Sequence, residues 1–112
     1  MNPSDEVRIR HMIQAGETAL RFVADRQLAD LERDEMLRFA LIRAVEMIGE
    51  AASRISAETR AESASVPWAD AVLMRNRLIH AYFNIDHTVL WKTAKEDIPA
   101  LLDQLRLLLP SG

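Results

Sequence analysis

Residues 34–56 read DEMLRFALIRAVEMIGEAASRIS, and the spacing of their apolar side chains decides the fold. Leu37, Leu41, Ala44, Ile48, Ala51 and Ile55 follow one another at alternating steps of four and three. That period keeps side chains on one face of an α-helix and makes a seam for neighbouring helices. Asp34, ahead of the first of them, is the expected N-cap. Gly49 interrupts the seam. Glycine inside a helix costs about 1 kcal/mol against alanine, so close approach of another helix is the expected compensation. Glu50 and Arg54 are four apart and placed to pair on the outer surface.

Working outward, Ile9, Met12, Ile13, Leu20 and Val23 recur at helical spacing upstream, with Gly16 on the same face. Asn2 or Ser4 can cap this helix, with Pro3 tolerated in its first turn. The polar stretch from Ala24 to Arg33 reads as its end and a connection. Downstream, SAETRAESASVP (56–67) reads as the longest connection. Pro67 marks the start of a third helix, with Trp68, Val72, Leu73, Leu78 and Ile79 as its apolar contacts and its end near Asn84. Asp86 is expected to cap a fourth, where Trp91, Ala94, Ile98, Leu101, Leu105 and Leu108 again step by three and four. Pro99 cannot donate to the carbonyl of Lys95, so this segment is kinked or divided near Asp97. The pattern predicts an all-α fold, an antiparallel bundle of four to five helices, forming one domain over residues 1–112.

Composition agrees. The chain has three glycines and four prolines, too few for a turn-rich β fold, and no cysteine for disulfide or thiolate chemistry. No apolar run approaches the roughly 18 residues of a membrane span, and MNPSDEVRIRHM at the start is unlike a secretory leader. A cytoplasmic location, away from membranes, is expected. The net charge is −3, so no global field draws nucleic acid and any such site must be local. Twelve arginines against two lysines favour the planar fork that suits phosphate and carboxylate, although arginines also decorate exposed helix faces in pairs with glutamate.

The densest chemistry lies in MRNRLIHAYFNID, residues 74–86. Arg75 is fixed positive, and His80 exchanges a proton near neutral pH. Together they offer what cleavage of an RNA phosphodiester needs: a cation for the extra negative charge on phosphorus and a group to move a proton on or off oxygen. The 2′-hydroxyl is an internal nucleophile, so no metal is obligatory. Asn76, one turn before His80, is placed to orient the imidazole or hold a phosphate oxygen. On an ideal helix Arg75 and His80 stand about 140° apart, whereas Arg75 and Tyr82 nearly share a face. Arginine's reach, a bend, or a cleft shared by two copies in a C2 dimer would each bring the groups together. The plainer reading is that Arg75 and Arg77 pair with acids on the second helix, His80 is a satisfied interior or surface side chain, and Tyr82 is an interface aromatic. His11 and His87 lack metal-ligand spacing, Glu46 and Glu50 read as solvated, and no glycine-rich phosphate loop is present. No metal and no cofactor are expected.

The stretch does not stand alone. Together with AVEMIGEAASRIS, VPWADAV and VLWKTAKEDIPALLDQL, it resembles the HepT-like branch of the HEPN superfamily from the second helix to the C-terminus. The most specific part is the R-x4-H-x-Y motif, here Arg75, His80 and Tyr82, with Asn76 after the arginine. The resemblance implies an all-α bundle that dimerises through the motif-bearing helix so that two motifs line a cleft. It also implies a metal-independent endoribonuclease, the toxin of a toxin–antitoxin system. Arg75 would stabilise the phosphorane, His80 would act as general acid/base and Asn76 would support the pair. The products would be 2′,3′-cyclic phosphate and 5′-hydroxyl ends. The implied partners are an RNA substrate, a second copy of the chain, and a nucleotidyltransferase antitoxin in a larger hetero-oligomer, which transfers AMP from ATP onto Tyr82. An added nucleotide there would bring bulk and negative charge beside Arg75 and compete with RNA. Ala81 departs from the glycine or charged residue often found between the histidine and tyrosine. The competing reading is a non-catalytic helical module that binds nucleotide or a protein; a further one makes the chain mainly the transferase's substrate.

Overall fold

A computed structural model of the chain describes residues 1–78 and 85–110. The first helix, α1 (Pro3–Val23), starts where expected: the Asn2 side chain accepts from the Asp5 amide at 2.8 Å, and Pro3 sits in the first turn. Its buried face carries Ile9, Met12, Ala15, Gly16, Ala19 and Val23. The seam helix is α3 (Glu35–Ser53), capped by Asp34, whose carboxylate accepts from the Leu37 amide at 3.0 Å. Leu37, Leu41, Ala44 and Ile48 are buried along it, Ala51 is half-buried, and Ile55 is buried just past its end. α1 and α3 form the main helix pair. Asp5, near the start of α1, bonds to Ser56, beyond the end of α3, so the two run antiparallel.

Two stretches expected as connections contain helix. Residues 24–33 include α2 (Leu28–Arg33), where Gln27 and Asp30 close a capping box and Leu31 is fully buried. The turn before it takes Asp25 into the left-handed region at φ 60°, which aspartate tolerates better than most residues. Residues 56–67 include α4 (Ala57–Glu62), capped by the Ser56 hydroxyl. Both helices have six residues. That length gives caps but no apolar period to read, and such short helices depend on tertiary contacts.

The third predicted helix is also revised. α5 (Trp68–Leu73) begins after Pro67 and ends well before Asn84; a 3-10 turn follows over Arg75–Arg77. Trp68 is buried and its indole Nε1 donates to the Ser63 carbonyl at 3.2 Å, whereas Leu73 is exposed. The Leu78 carbonyl accepts from the Asp86 amide at 2.9 Å. A single straight helix would set those two residues about 12 Å apart. Ile79 and Asn84 lie outside the described residues.

Asp86 then caps α6 (His87–Lys92), accepting from the Val89 amide at 3.0 Å. A π-helical turn over Thr93–Asp97 leads into α7 (Ile98–Arg106), with Pro99 in its first turn. The division falls where proline, lacking an N–H, was expected to place it. Leu90, Ala94, Ile98, Leu101 and Leu105 face the core, and Trp91 is half-buried with the Lys95 ammonium 5.3 Å from its ring centre. The described residues thus form an all-α bundle, and among them no helix is long and apolar enough to cross a membrane.

One polar cluster is buried. Asp5 is 1% exposed. Its carboxylate accepts from the Ser56 amide (3.1 Å), the Ser56 hydroxyl (2.5 Å), the Thr59 hydroxyl (2.6 Å) and the Asn2 side-chain amide (3.1 Å). Burial alone would raise its pKa. The hydrogen bonds from Ser56 and Thr59, with the nearby Arg8 charge, outweigh burial and hold it below the ordinary carboxylate range. A folded pKa below the unfolded one stabilises the fold above the unfolded value near 3.9, and that contribution is lost as pH falls through the folded value. Replacing Asp5 by Asn should therefore cost about 2 kcal/mol at pH 7. Thermal melts of both forms from pH 7 to pH 2 should show the gap closing on acidification; a gap independent of pH would refute the ionised clamp.

Candidate functional site around Arg75

The position of Arg75 is set by how closely α5 approaches α3. A Cβ built on Gly49 would meet the Val72 carbonyl oxygen at 3.2 Å and the Ala71 carbonyl oxygen at 3.4 Å. Any larger side chain would push the α5 backbone away, so the sequence reading of Gly49 as a point of close approach holds. One turn earlier on α3, Glu46 faces the 3-10 turn that follows α5. Its Oε1 lies 3.5 Å from Arg75 Nε, and its Oε2 lies 3.8 Å from Arg43 Nη1.

A 3-10 helix turns about 120° per residue, so Arg75, Asn76 and Arg77 fan outward. All three are exposed. Arg77 reaches back to Asp70 on α5 at 2.5 Å, while Arg75 turns to α3. The plainer expectation of pairing with the second predicted helix therefore holds for Arg75 and fails for Arg77. The Arg75 side chain is 48% exposed. Its contact with Glu46 uses Nε, and the two terminal amino groups make no hydrogen bond among the described residues. These groups form the fork that engages phosphate oxygens.

His80, Tyr82 and Ala81 lie outside the described residues, so their arrangement about Arg75 is not described. His11 is an exposed residue of α1, and His87 is the half-buried first residue of α6. Glu50 pairs with Arg43 at 3.6 Å rather than with Arg54. Glu46 is not simply solvated: it lies between Arg43 and Arg75 with its side chain 30% exposed. Sequence reasoning missed this role. The signal was Gly49 itself, because an acid one turn before the close approach is carried towards whatever follows α5.

A family model described as ribonuclease HepT-like matches residues 12–108. The chain is 40% identical over 101 residues to a protein of Thermococcus cleftensis provisionally named ribonuclease HepT, covering 90% of this chain and 92% of the relative. It is 36% identical over 96 residues to a protein of Methanocaldococcus jannaschii provisionally named as an RNase, covering 86% and 88%. A Caldanaerobacter subterraneus protein with a similar provisional name is 33% identical over 101 residues, covering 90% of each chain. No solved structure matches.

Two substitutions separate packing from charge here. Gly49→Val should destabilise the fold by about 2 kcal/mol through overpacking. Glu46→Gln, which weakens a partly exposed pair, should cost less than about 1 kcal/mol. Urea denaturation measures both, and a Gly49→Val variant as stable as the parent would disprove the close approach.

Proposed function

The chain belongs to the ribonuclease HepT-like family, and on that footing we propose that it is a metal-independent endoribonuclease, the toxin of a toxin–antitoxin pair. The observation that carries the reading is the Arg75 guanidinium on the motif turn: its side chain is 48% exposed, it meets Glu46 at Nε, and its terminal amino groups make no hydrogen bond among the described residues. A cation so presented meets a phosphate without first giving up a buried partner. The competing module reading is favoured if Arg75 and His80 are tied up in buried pairs, and the Arg75 side chain, 48% exposed, is not buried.

In the proposed reaction the RNA 2′-oxygen attacks the adjacent phosphorus and the bond to the 5′-oxygen breaks. A base takes the 2′-hydroxyl proton and an acid protonates the departing 5′-oxygen, leaving a 2′,3′-cyclic phosphate and a 5′-hydroxyl. His80 is the proposed proton carrier, Arg75 neutralises charge on the phosphorane, and Asn76 supports the pair. In a homodimer two imidazoles are available, one to take and one to give. Exposed apolar side chains on the two helices that position Arg75 support pairing of two copies: Met36 and Phe39 on α3, and Leu73 on α5. An antitoxin nucleotidyltransferase placing AMP on Tyr82 would set a phosphate against the same guanidinium.

Incubated with RNA in the presence of a chelator, the chain should yield cyclic-phosphate ends. Arg75→Ala and His80→Ala should each lower cleavage about a hundredfold or more. Undiminished cutting by both variants would overturn the assigned roles. Mass spectrometry after co-expression with the adjacent transferase should find AMP on Tyr82, and an unmodified tyrosine would count against that control.

A further inference from the structure

A groove of about 680 Å³ runs between the N-terminal half of α1 and the C-terminal half of α3. Arg8 and His11 line it from α1, and Arg43 and Arg54 from α3. Val7, Met47 and Ala51 supply apolar surface between them, and Glu50 is the one acid in the lining. Three guanidinium groups against one carboxylate make this a cationic groove on a chain whose net charge is −3. Among the described residues, neither Arg8 nor Arg54 forms an ion pair. Arg43 continues the groove towards the motif: it shares Glu46 with Arg75, at 3.8 Å and 3.5 Å. The groove and the motif turn are therefore linked along one edge of α3.

We infer that this groove is an RNA-binding subsite, which seats the backbone of the substrate strand beside the linkage presented to Arg75. Arg8 and Arg54 take phosphate oxygens, and Arg43 spans the passage from groove to motif turn. The apolar patch and the flat imidazole of His11 offer surfaces for unstacked bases, which is how single-stranded RNA is held. Arginine suits this role better than lysine because its fork binds phosphate with two parallel hydrogen bonds. The groove's volume falls in the range of pockets that enclose small organic groups. A local field of this kind supplies what the acidic chain as a whole lacks. The inference rests on the ribonuclease reading and names where that enzyme holds the strand outside the reacting linkage.

The test is fluorescence anisotropy of a labelled single-stranded RNA with the full chain, titrated at several salt concentrations. Arg8→Gln with Arg54→Gln should weaken binding tenfold or more. The slope of log affinity against log salt should flatten by about 1.4, since each phosphate contact to a single strand contributes about 0.7. Arg21→Gln with Arg33→Gln removes the same charge elsewhere, with Arg21 about 20 Å along α1 from Arg8, and should bind nearly as the parent does. Circular dichroism melts check folding. Should the half-buried Arg8 position prove sensitive, Arg54→Gln alone carries the test, with a slope change of about 0.7. Unchanged affinity and slope in the groove variants would overturn the subsite, as would equal weakening in the control pair. Competition by poly-glutamate at matched charge as effective as unlabelled RNA would reassign the groove to acidic protein segments. Cleavage by the parent is followed in parallel: if it persists while the groove variants bind normally, the subsite falls alone, and if the parent neither binds nor cuts RNA, the ribonuclease reading falls with it.

Discussion

The contact on which the site depends is backbone against glycine. α5 has only six residues, too few to hold its own shape in water, so it is positioned by what it rests on. Trp68 anchors its start and Gly49 receives its far half, with the Val72 and Ala71 carbonyls lying over a position that has no side chain. Because α5 lies this near, the turn that follows passes Glu46 within reach of Arg75. A methyl group on residue 49 would gain helix propensity but separate these elements by some tenths of an ångström. The stability forgone in α3 is balanced by the placement of an arginine elsewhere.

Charge is distributed to match. Most arginines pair with nearby acids at exposed positions, including Arg10 with Glu6, Arg77 with Asp70 and Arg106 with Glu17. Such pairs contribute little to stability, but they neutralise the surface around the cations that remain available. Glu46 acts differently. It lies between two arginines and meets Arg75 at Nε, 3.5 Å away, while the terminal amino groups of that guanidinium make no hydrogen bond among the described residues. A carboxylate bound to both terminal nitrogens would have competed directly with phosphate.

Long elements were legible in the sequence because burial writes a period into them. Asp34, Asn2 and Asp86 were readable as caps for the same reason that they work, a short acceptor placed just before an apolar repeat. α2 and α4 were not legible: one fully buried leucine holds the first, and a serine–threonine–aspartate cluster holds the second, neither of which repeats. The end of α5 was missed because Leu78 continues the apolar pattern on paper, while in space it is joined through its carbonyl to Asp86. Arg75 and Asn76 were identifiable as candidates by residue type and by resemblance. Glu46 was not, since its role exists only once two distant helices are packed.

The Asp5 cluster bears on the groove as well as on the fold. Asp5 sits on α1 between Ser4 and Val7, which line the groove, and it grips Ser56, two residues beyond Arg54. Both walls are thus fastened together at one end by a buried carboxylate. Arg8 is attracted to that carboxylate without being bonded to it, so its charge helps keep Asp5 ionised while its fork stays available in the groove. A neutral carboxyl at this point would keep a carbonyl acceptor but would weaken the charge-assisted bonds from two hydroxyls and two amides, and so loosen the hold of α1 on the end of α3. The same buried side chain therefore joins the two walls at one end and is supported by a cation that lines one of them.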